Sequence, residues 1–300
     1  MQHLRSPAHQ IASRLRNTAL RRTHVLVASQ QRQQNGDTDG SFKVLHLMRH
    51  GVTEMNDYLA VNRYDAPDFV DPLKYDTVLT ARGRASAQAA ASVAERLSPP
   101  PELLLVSPLT RALQTAHLAF MPHYRGPVMV EPLARERVWH ASDIGSSREQ
   151  LQQAFPDGRF PLNTLPDVWW YCVKPEDPRA VGLEPEALFR ARIAALRRLL
   201  AARPERSIAL VAHWGVLHEL TGGVEFANCE IRSFAMETRR AEVAAAGARQ
   251  EGAGGSAEGG QKRCDGVTDC GDGGEGGEVE VMIRELRLEE QREQAAAVVG

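Results

Sequence analysis

The stretch Lys43–Gly51, KVLHLMRHG, decides the fold. Its first part, Lys43–Met48, is short and predominantly apolar, which predicts a buried strand. That strand runs directly into Arg49, His50 and Gly51. In an open parallel sheet, ligands bind beyond the carboxyl ends of the strands, so the residues after this strand are the first candidates for a functional site.

Working outward, three more segments predict strands, and the chain between them predicts helices. Thr80 is an N-cap for a helix over Ala81–Leu97, and a second helix begins near Leu109. In Leu188–Ala202 the large apolar residues recur at spacings of three and four, which predicts an amphipathic helix. Strands that alternate with helices predict an α/β fold, a three-layer α/β/α sandwich with a mostly parallel sheet. These three segments are Leu103–Val106, Val128–Leu133 and Ile208–Ala212, and Asn228–Met236 is a candidate for a last strand.

The composition changes at both ends of the chain. Residues 1–40 carry six Arg and two Asp, which is typical of an organellar transit peptide, with a disordered basic leader as the alternative. Residues 41–239 are predicted to form one domain. Residues 240–278 are rich in Gly, Ala and Glu with almost no large apolar side chain, which predicts a disordered insertion. Residues 279–300 are predicted to return as an edge strand and a tail. The leader predicts a chloroplast or mitochondrial location, with the cytoplasm as the alternative.

Several classes of protein are disfavoured by composition. No apolar run approaches the roughly 18 residues that span a bilayer, so we expect no membrane-spanning helix. The cysteines show neither C-x-x-C spacing nor the density of a disulfide scaffold, so we expect free thiols and no metal site. We also expect no cofactor, no nucleic-acid partner and no membrane partner, and the oligomeric state stays open. The four cysteines are Cys172, Cys229, Cys264 and Cys270.

Charged and titratable residues follow each of the four clear strands. Arg49 and His50 follow the first, Arg111 comes shortly after the second, Glu136 after the third and His213 after the fourth. Because these strand ends meet at one edge, the side chains form an anion site with the size and charge of a phosphate. The nearby arginines disfavour the imidazolium form of His50, so its ring nitrogen stays available as a nucleophile. Glu136 is the candidate acid and base, and this chemistry requires no metal.

Four ordered motifs resemble the histidine phosphatase superfamily, the phosphoglycerate mutase-like proteins. The resemblance spans roughly residues 43–236. It implies a phosphoglycerate mutase-like fold and an enzyme that transfers a phosphoryl group to histidine. The motifs are Leu47–Asn56 (LMRHGVTEMN), Val78–Gly83 (VLTARG), Val106–Ala116 (VSPLTRALQTA) and Val211–Leu217 (VAHWGVL).

The resemblance assigns roles residue by residue. It implies that His50 accepts the phosphoryl group, that Arg49, Arg111 and His213 hold the phosphate, and that Asn56 adds a contact. For Asn56, a capping or turn role is an equal alternative.

The acid is assigned less securely than the nucleophile. Glu136 matches the family's acid and base, but Asp143 and Glu131 remain rivals because the segment 131–147 follows a variant pattern. Trp214 departs from the commoner pattern, which has Gly or Ser at its position.

Together these features predict a metal-independent histidine acid or neutral phosphatase that hydrolyses a small phosphorylated metabolite. Two alternatives stay open: a mutase-type phosphotransferase and a catalytically silent protein that binds a phosphorylated ligand. Among the other residues, His46 is expected to be a core histidine, and a structural role is favoured for His140. Val168–Tyr171 (VWWY) is either a lid over the substrate or part of the core.

Overall fold

The computed structural model describes residues 42–240 and 279–286. The predicted leader and nearly all of the predicted insertion lie outside these ranges, as does the tail after residue 286. The described strands are β1 (Lys43–Arg49), β2 (Leu103–Val106), β3 (Val128–Val130), β4 (Ser207–Ala212), β5 (Ile231–Arg240) and β6 (Val279–Glu285). The described helices are α1 (Glu54–Leu59), α2 (Ala81–Ala94), α3 (Thr110–Ala119), α4 (Arg148–Ala154), α5 (Glu186–Ala202) and α6 (Trp214–Thr221).

The described strands form one six-stranded sheet in the order β3-β2-β4-β1-β5-β6. The pairs β3/β2, β2/β4 and β4/β1 are parallel, and the pairs β1/β5 and β5/β6 are antiparallel. The predicted α/β class with a mostly parallel sheet is confirmed. Because β1, β2, β3 and β4 run in the same direction, their carboxyl ends meet at one edge.

One predicted strand is too long. The segment Val128–Leu133 forms a strand only over Val128–Val130, because Pro132 begins a short 3₁₀ turn that runs to Ala134. The Glu131 side chain caps this turn by accepting a hydrogen bond from the Leu133 amide at 2.9 Å. The turn directs the chain toward Glu136.

The sheet separates two apolar cores, because side chains along a strand alternate between its faces. Leu45 and Leu47 of β1 pack in one core with α5 and α6, while Met48 packs in the other with α2 and α3. The second core also contains Trp169 and Trp170, which are 5% and 9% exposed, so the two tryptophans of the VWWY segment are core rather than lid. No helix in the two described ranges is both long and apolar enough to cross a bilayer.

Helix α2 braces the loop that follows His50. Thr80 caps this helix as predicted, since its hydroxyl accepts a hydrogen bond from the Gly83 amide at 3.1 Å. The Thr80 amide in turn donates to the Val52 carbonyl at 2.9 Å. A Cβ at Gly83 would lie 2.0 Å from that same carbonyl oxygen, so only glycine permits this approach. The Thr-x-x-Gly pattern therefore fixes the loop beside His50.

Candidate active site

A cavity of about 210 Å³ opens at the carboxyl ends of the parallel strands. The structure brings the predicted site residues together here. His213 alone does not line the cavity; it lies buried beneath, with its ring centroid 5.1 Å from that of His50. The predicted residues that line the cavity are Arg49, His50, Asn56, Arg111 and Glu136, and Asp143 and His140 line it as well.

The His50 ring is held in one tautomer. Its Nδ1 lies 2.7 Å from the carbonyl oxygen of Gly51. A carbonyl oxygen can only accept, so Nδ1 carries the hydrogen and Nε2 carries the lone pair. Burial lowers the pKa of His50 well below its usual range, and the charges of Arg111 and Arg49 lower it further. His50 is therefore a neutral imidazole with a free Nε2.

His213 lies against His50 at the end of β4. Its Nε2 is 2.7 Å from the Ser107 hydroxyl oxygen, and its Nδ1 has no hydrogen-bond partner. Burial lowers the pKa of His213 well below the usual value, with Arg111 as the next cause. Two neutral imidazoles can therefore lie side by side without mutual repulsion.

The two arginines are anchored by carbonyl groups. Arg49 donates through Nη1 to the Phe226 carbonyl at 2.8 Å, and its buried Nε has no partner. Arg111 donates through Nη1 to the Ser142 carbonyl at 2.7 Å and through Nη2 to Asp143 at 2.8 Å. These anchors hold both guanidinium groups in fixed orientations at the cavity.

Glu136 is buried and poised to carry a proton. Its carboxylate accepts hydrogen bonds from the Arg137 amide at 2.9 Å and the Gly215 amide at 3.0 Å. Burial raises the pKa of Glu136, and the negative charge of Asp143 raises it further. The same residue can thus be protonated in one step of a reaction and ionised in the next.

The two rival carboxylates are occupied in other ways. Asp143 uses Oδ1 to hold Arg111, and its Oδ2 accepts hydrogen bonds from the amides of Trp139 (3.1 Å) and His140 (3.2 Å). Glu131 caps the 3₁₀ turn and does not line the cavity. The geometry favours Glu136 as the acid, and this assignment stays a prediction.

Asn56 has the capping role that was one of its two predicted alternatives. Its Oδ1 accepts hydrogen bonds from the Thr53 amide at 3.0 Å and the Thr53 hydroxyl at 3.1 Å, which completes a capping box for α1. The residue also lines the cavity, so the cap fixes a wall of the site.

A second layer of charge holds the backbone around Glu136. Arg192 of α5 donates through Nη1 to the carbonyls of Leu133 (2.8 Å) and Arg135 (2.7 Å), and its Nη2 contacts the Glu136 carbonyl at 3.4 Å. The buried carboxylate of Glu184 binds Arg192 and also Arg135 at 2.8 Å. Burial and the charge of Arg192 lower the pKa of Arg135 to about 10, so Arg135 stays charged at neutral pH.

Unpaired polar atoms concentrate at the site. Among the described residues, five buried side-chain nitrogen or oxygen atoms lack a hydrogen-bond partner, and three of them belong to Arg49 (Nε), Thr77 (Oγ1) and His213 (Nδ1). Leaving a buried polar atom unpaired costs about 1 to 3 kcal/mol, and a bound anion offers oxygens that accept hydrogen bonds. These unpaired atoms belong to Arg49 and Thr77, which line the cavity, and to His213 beneath it.

Some cavity residues were not recognised from the sequence. Thr77, Tyr64 and Trp139 line the cavity, and no motif marked them. Trp214 also lines it, although the sequence identified it only as a departure from the commoner pattern. Across residues 42–240 and 279–286, no cluster of three or more His, Cys, Asp or Glu is arranged to hold a metal ion.

Comparison with known proteins gives matches over the same region. A family model described as the histidine phosphatase superfamily (branch 1) matches residues 45–243. A Schizosaccharomyces pombe protein named "Probable phosphatase SPAC513.02" is 28% identical over 185 residues, which cover 58% of this chain and 75% of that protein.

Solved structures also match. The alpha-ribazole phosphatase from Shigella flexneri is 22% identical with a TM-score of 0.40, and the match covers 64% of this chain and 89% of that one. A mycobacterial glucosyl-3-phosphoglycerate phosphatase is 24% identical with a TM-score of 0.40, covering 65% of this chain and 90% of the other.

Proposed function

This chain belongs to the histidine phosphatase superfamily, and on that premise we propose that it hydrolyses a small phosphomonoester through a phosphohistidine at His50. Membership in the family supports phosphatase activity on a phosphorylated substrate. The observation that carries the finer proposal is the state of His50. It is a neutral imidazole with a free Nε2, and it lies in a cavity that Arg49 and Arg111 also line.

In the first step, Nε2 of His50 attacks the phosphorus atom. A phosphorus–nitrogen bond forms as the bond between phosphorus and the ester oxygen breaks, and protonated Glu136 gives its proton to that oxygen. The product alcohol leaves. The ring then carries the phosphoryl group on Nε2 and a hydrogen on Nδ1, where the Gly51 carbonyl stabilises the charge that the ring has gained.

In the second step, water attacks the phosphorus atom of the phosphohistidine. Ionised Glu136 takes a proton from that water, the phosphorus–nitrogen bond breaks, and its electron pair returns to Nε2. Inorganic phosphate leaves, and both His50 and Glu136 regain their starting states. A raised pKa suits Glu136 to the first step, because it favours the protonated form that donates to the leaving oxygen.

The proposal includes independence from metal ions. The charge that develops on the transferring oxygens is met by the guanidinium groups of Arg49 and Arg111, which line the cavity. Both groups are already anchored by backbone carbonyls, so little reorganisation accompanies the reaction. His213, which was predicted to hold the phosphate, lies beneath the cavity and packs against His50.

The test compares His50→Ala with His117→Ala, which removes a half-exposed histidine outside the cavity. With p-nitrophenyl phosphate and EDTA, we expect activity in the wild-type enzyme and in His117→Ala, and a loss of at least about a thousandfold in His50→Ala. Rapid quenching should trap an acid-labile, alkali-stable phosphoenzyme that the His50 variant lacks.

Three other results would contradict the proposal. Activity in His50→Ala equal to that of the wild-type enzyme would show that His50 is not the nucleophile. Interconversion of phosphoglycerates with little phosphate release would indicate a mutase. Phosphate-dependent thermal stabilisation without any turnover would indicate a protein that only binds its ligand.

A further inference from the structure

Two tryptophans stand at the mouth of the catalytic cavity. Trp139 and Trp214 are 42% and 39% exposed, whereas the other two tryptophans of the chain are buried in the core. Both mouth tryptophans line the catalytic cavity, and both also line a neighbouring groove of about 190 Å³. The alcohol portion of an ester whose phosphate lies at His50 therefore extends past these two rings.

Both rings are fixed in place before any ligand binds. The Trp214 ring stacks on the His218 ring, with centroids 4.9 Å apart and planes 22° apart, and its Nε1 donates to Glu225 at 2.6 Å. The guanidinium group of Arg137 lies 4.4 Å from the centre of the Trp139 ring. Because these contacts already order the side chains, a ligand that stacks on them loses little binding energy to ordering.

The cavity offers two arginines to a phosphate and, in the described part of the chain, no further permanent cation to a second anion. Of the described residues that line the cavity, the only permanent cations are Arg49 and Arg111, and Arg111 is already paired with Asp143. In the neighbouring groove, the two arginines that line it are balanced by two glutamates, Glu186 and Glu219. A second phosphate or a carboxylate on the substrate would meet no unbalanced positive charge there.

From this arrangement we propose that the substrate is a monophosphate ester of an uncharged alcohol that carries a flat ring, and that this ring packs against Trp139 and Trp214. The inference rests on the proposed phosphatase function and names its substrate class. Stacked aromatic rings attract each other beyond the effect of buried area, and the neutral mouth disfavours ligands with a further acidic group.

The first test uses three esters whose alcohols have similar acidity. They are 2-phenylethyl phosphate, 2-cyclohexylethyl phosphate, which replaces the flat ring with a puckered one, and 2-phenylethyl phosphate with a carboxylate in the para position. We expect kcat/KM to be highest for the phenyl ester, about three- to tenfold lower for the cyclohexyl ester, and at least about tenfold lower for the carboxylate.

The second test replaces each mouth tryptophan by leucine, which keeps apolar bulk without a flat ring. Trp139→Leu and Trp214→Leu should each raise KM for the phenyl ester about three- to tenfold and leave KM for the cyclohexyl ester within about twofold. Stabilisation by inorganic phosphate should stay unchanged in both variants, because phosphate alone binds at His50. Trp139→Phe and Trp214→Phe, which keep a flat ring, should raise KM for the phenyl ester less than the leucine variants do. His117→Ala, outside the cavity, is the control that keeps the KM of the wild-type enzyme.

The outcomes separate this inference from the function on which it rests. If all three esters are hydrolysed with equal kcat/KM and His50→Ala abolishes each activity, the phosphatase stands and the substrate class is wrong. A preference for the carboxylate ester also overturns the substrate class. If no ester is hydrolysed and no phosphoenzyme forms, the proposed function itself fails.

Discussion

The floor and the mouth of the cavity are built in opposite ways. On the floor, His50 and Arg111 are buried and anchored by backbone carbonyls. At the mouth, Trp139 and Trp214 are half-exposed, and their supports are aromatic or charged side chains rather than carbonyls. Under the proposed function, the floor would serve one chemistry for many esters, and the mouth would select among esters without disturbing that chemistry.

The sharpest contrast within the floor lies between two carboxylates. Glu136 accepts only backbone amides and has a raised pKa, whereas Asp143 holds Arg111 in an ion pair. Under the proposed mechanism, these environments suit Glu136 to the acid role and Asp143 to a positioning role. Loss of the acid should therefore slow an ester whose leaving group needs a proton and spare an ester whose leaving group needs none. Loss of the positioning residue should slow both esters.

The largest predicted effect uses this dependence. Glu136→Gln should slow the phosphorylation step about a thousandfold with 2-phenylethyl phosphate, whose alkoxide leaves only with a proton. With p-nitrophenyl phosphate the same step should change by less than about tenfold, because nitrophenolate leaves without one. Rapid-mixing measurements should then show a burst of nitrophenolate followed by slow turnover, since the second step also needs Glu136.

Asp143→Asn is the matched comparison for Glu136→Gln. It should slow phosphorylation by similar factors for both esters, since it loosens Arg111 rather than removing a proton. If instead Asp143→Asn shows the leaving-group dependence and Glu136→Gln does not, the two roles are reversed.

The pH dependence of kcat/KM gives a second test of the floor, because kcat/KM reports the free enzyme and only the steps through phosphorylation. The proton on Glu136 is lost as pH rises through its raised pKa, so kcat/KM for 2-phenylethyl phosphate should fall on the alkaline side, by up to about tenfold per pH unit. The pKa of His50 is lowered, so the ring stays neutral as pH falls below 6.5 and should cause no drop in kcat/KM there. Stopped-flow profiles with p-nitrophenyl phosphate should lack the alkaline fall in the burst phase. An acid limb at pH 6.5 that remains after correction for the substrate phosphate, which ionises at about pH 6, would show that His50 titrates as an ordinary histidine.

The floor could be predicted from the sequence because its residues follow strands. Short apolar segments such as Leu103–Val106 mark the parallel sheet, and the carboxyl ends of such strands share one edge. His50 and His213 come directly after two adjacent strands, so their proximity follows from the topology. Local signals worked equally well at Thr80, where the hydroxyl caps α2.

The mouth could not be predicted, because its residues lie in loops or on a helix rim. Trp139 belongs to a long connection, as does the buried cavity residue Thr77. The path of such a connection depends on tertiary contacts, and sequence periodicity carries no information about it. The tryptophans show the difficulty directly. The adjacent pair Trp169 and Trp170 looked like a lid as much as a core, yet both are buried, while the isolated Trp139 lines the site.

The smallest predicted effect concerns Arg192, which positions Glu136 without lining the cavity. Arg192→Lys keeps the positive charge beside Glu184 but loses the planar fork that binds several carbonyls at once. We expect kcat for 2-phenylethyl phosphate to fall about tenfold, with KM nearly unchanged, because a small misplacement of a catalytic group costs rate rather than binding.

Arg198→Lys is the control for Arg192→Lys, since Arg198 is exposed on the same helix and lines neither the cavity nor the neighbouring groove. This control should keep the kcat of the wild-type enzyme. A general loss of structure would slow both esters alike and lower the Tm, whereas misplacement of the acid slows 2-phenylethyl phosphate and spares the nitrophenolate burst. If Arg192→Lys slows the nitrophenolate burst as much as it slows hydrolysis of 2-phenylethyl phosphate, Arg192 supports the phosphate-binding groups as well as Glu136. The acid and the phosphate-binding groups are then less independent than their separate hydrogen bonds indicate.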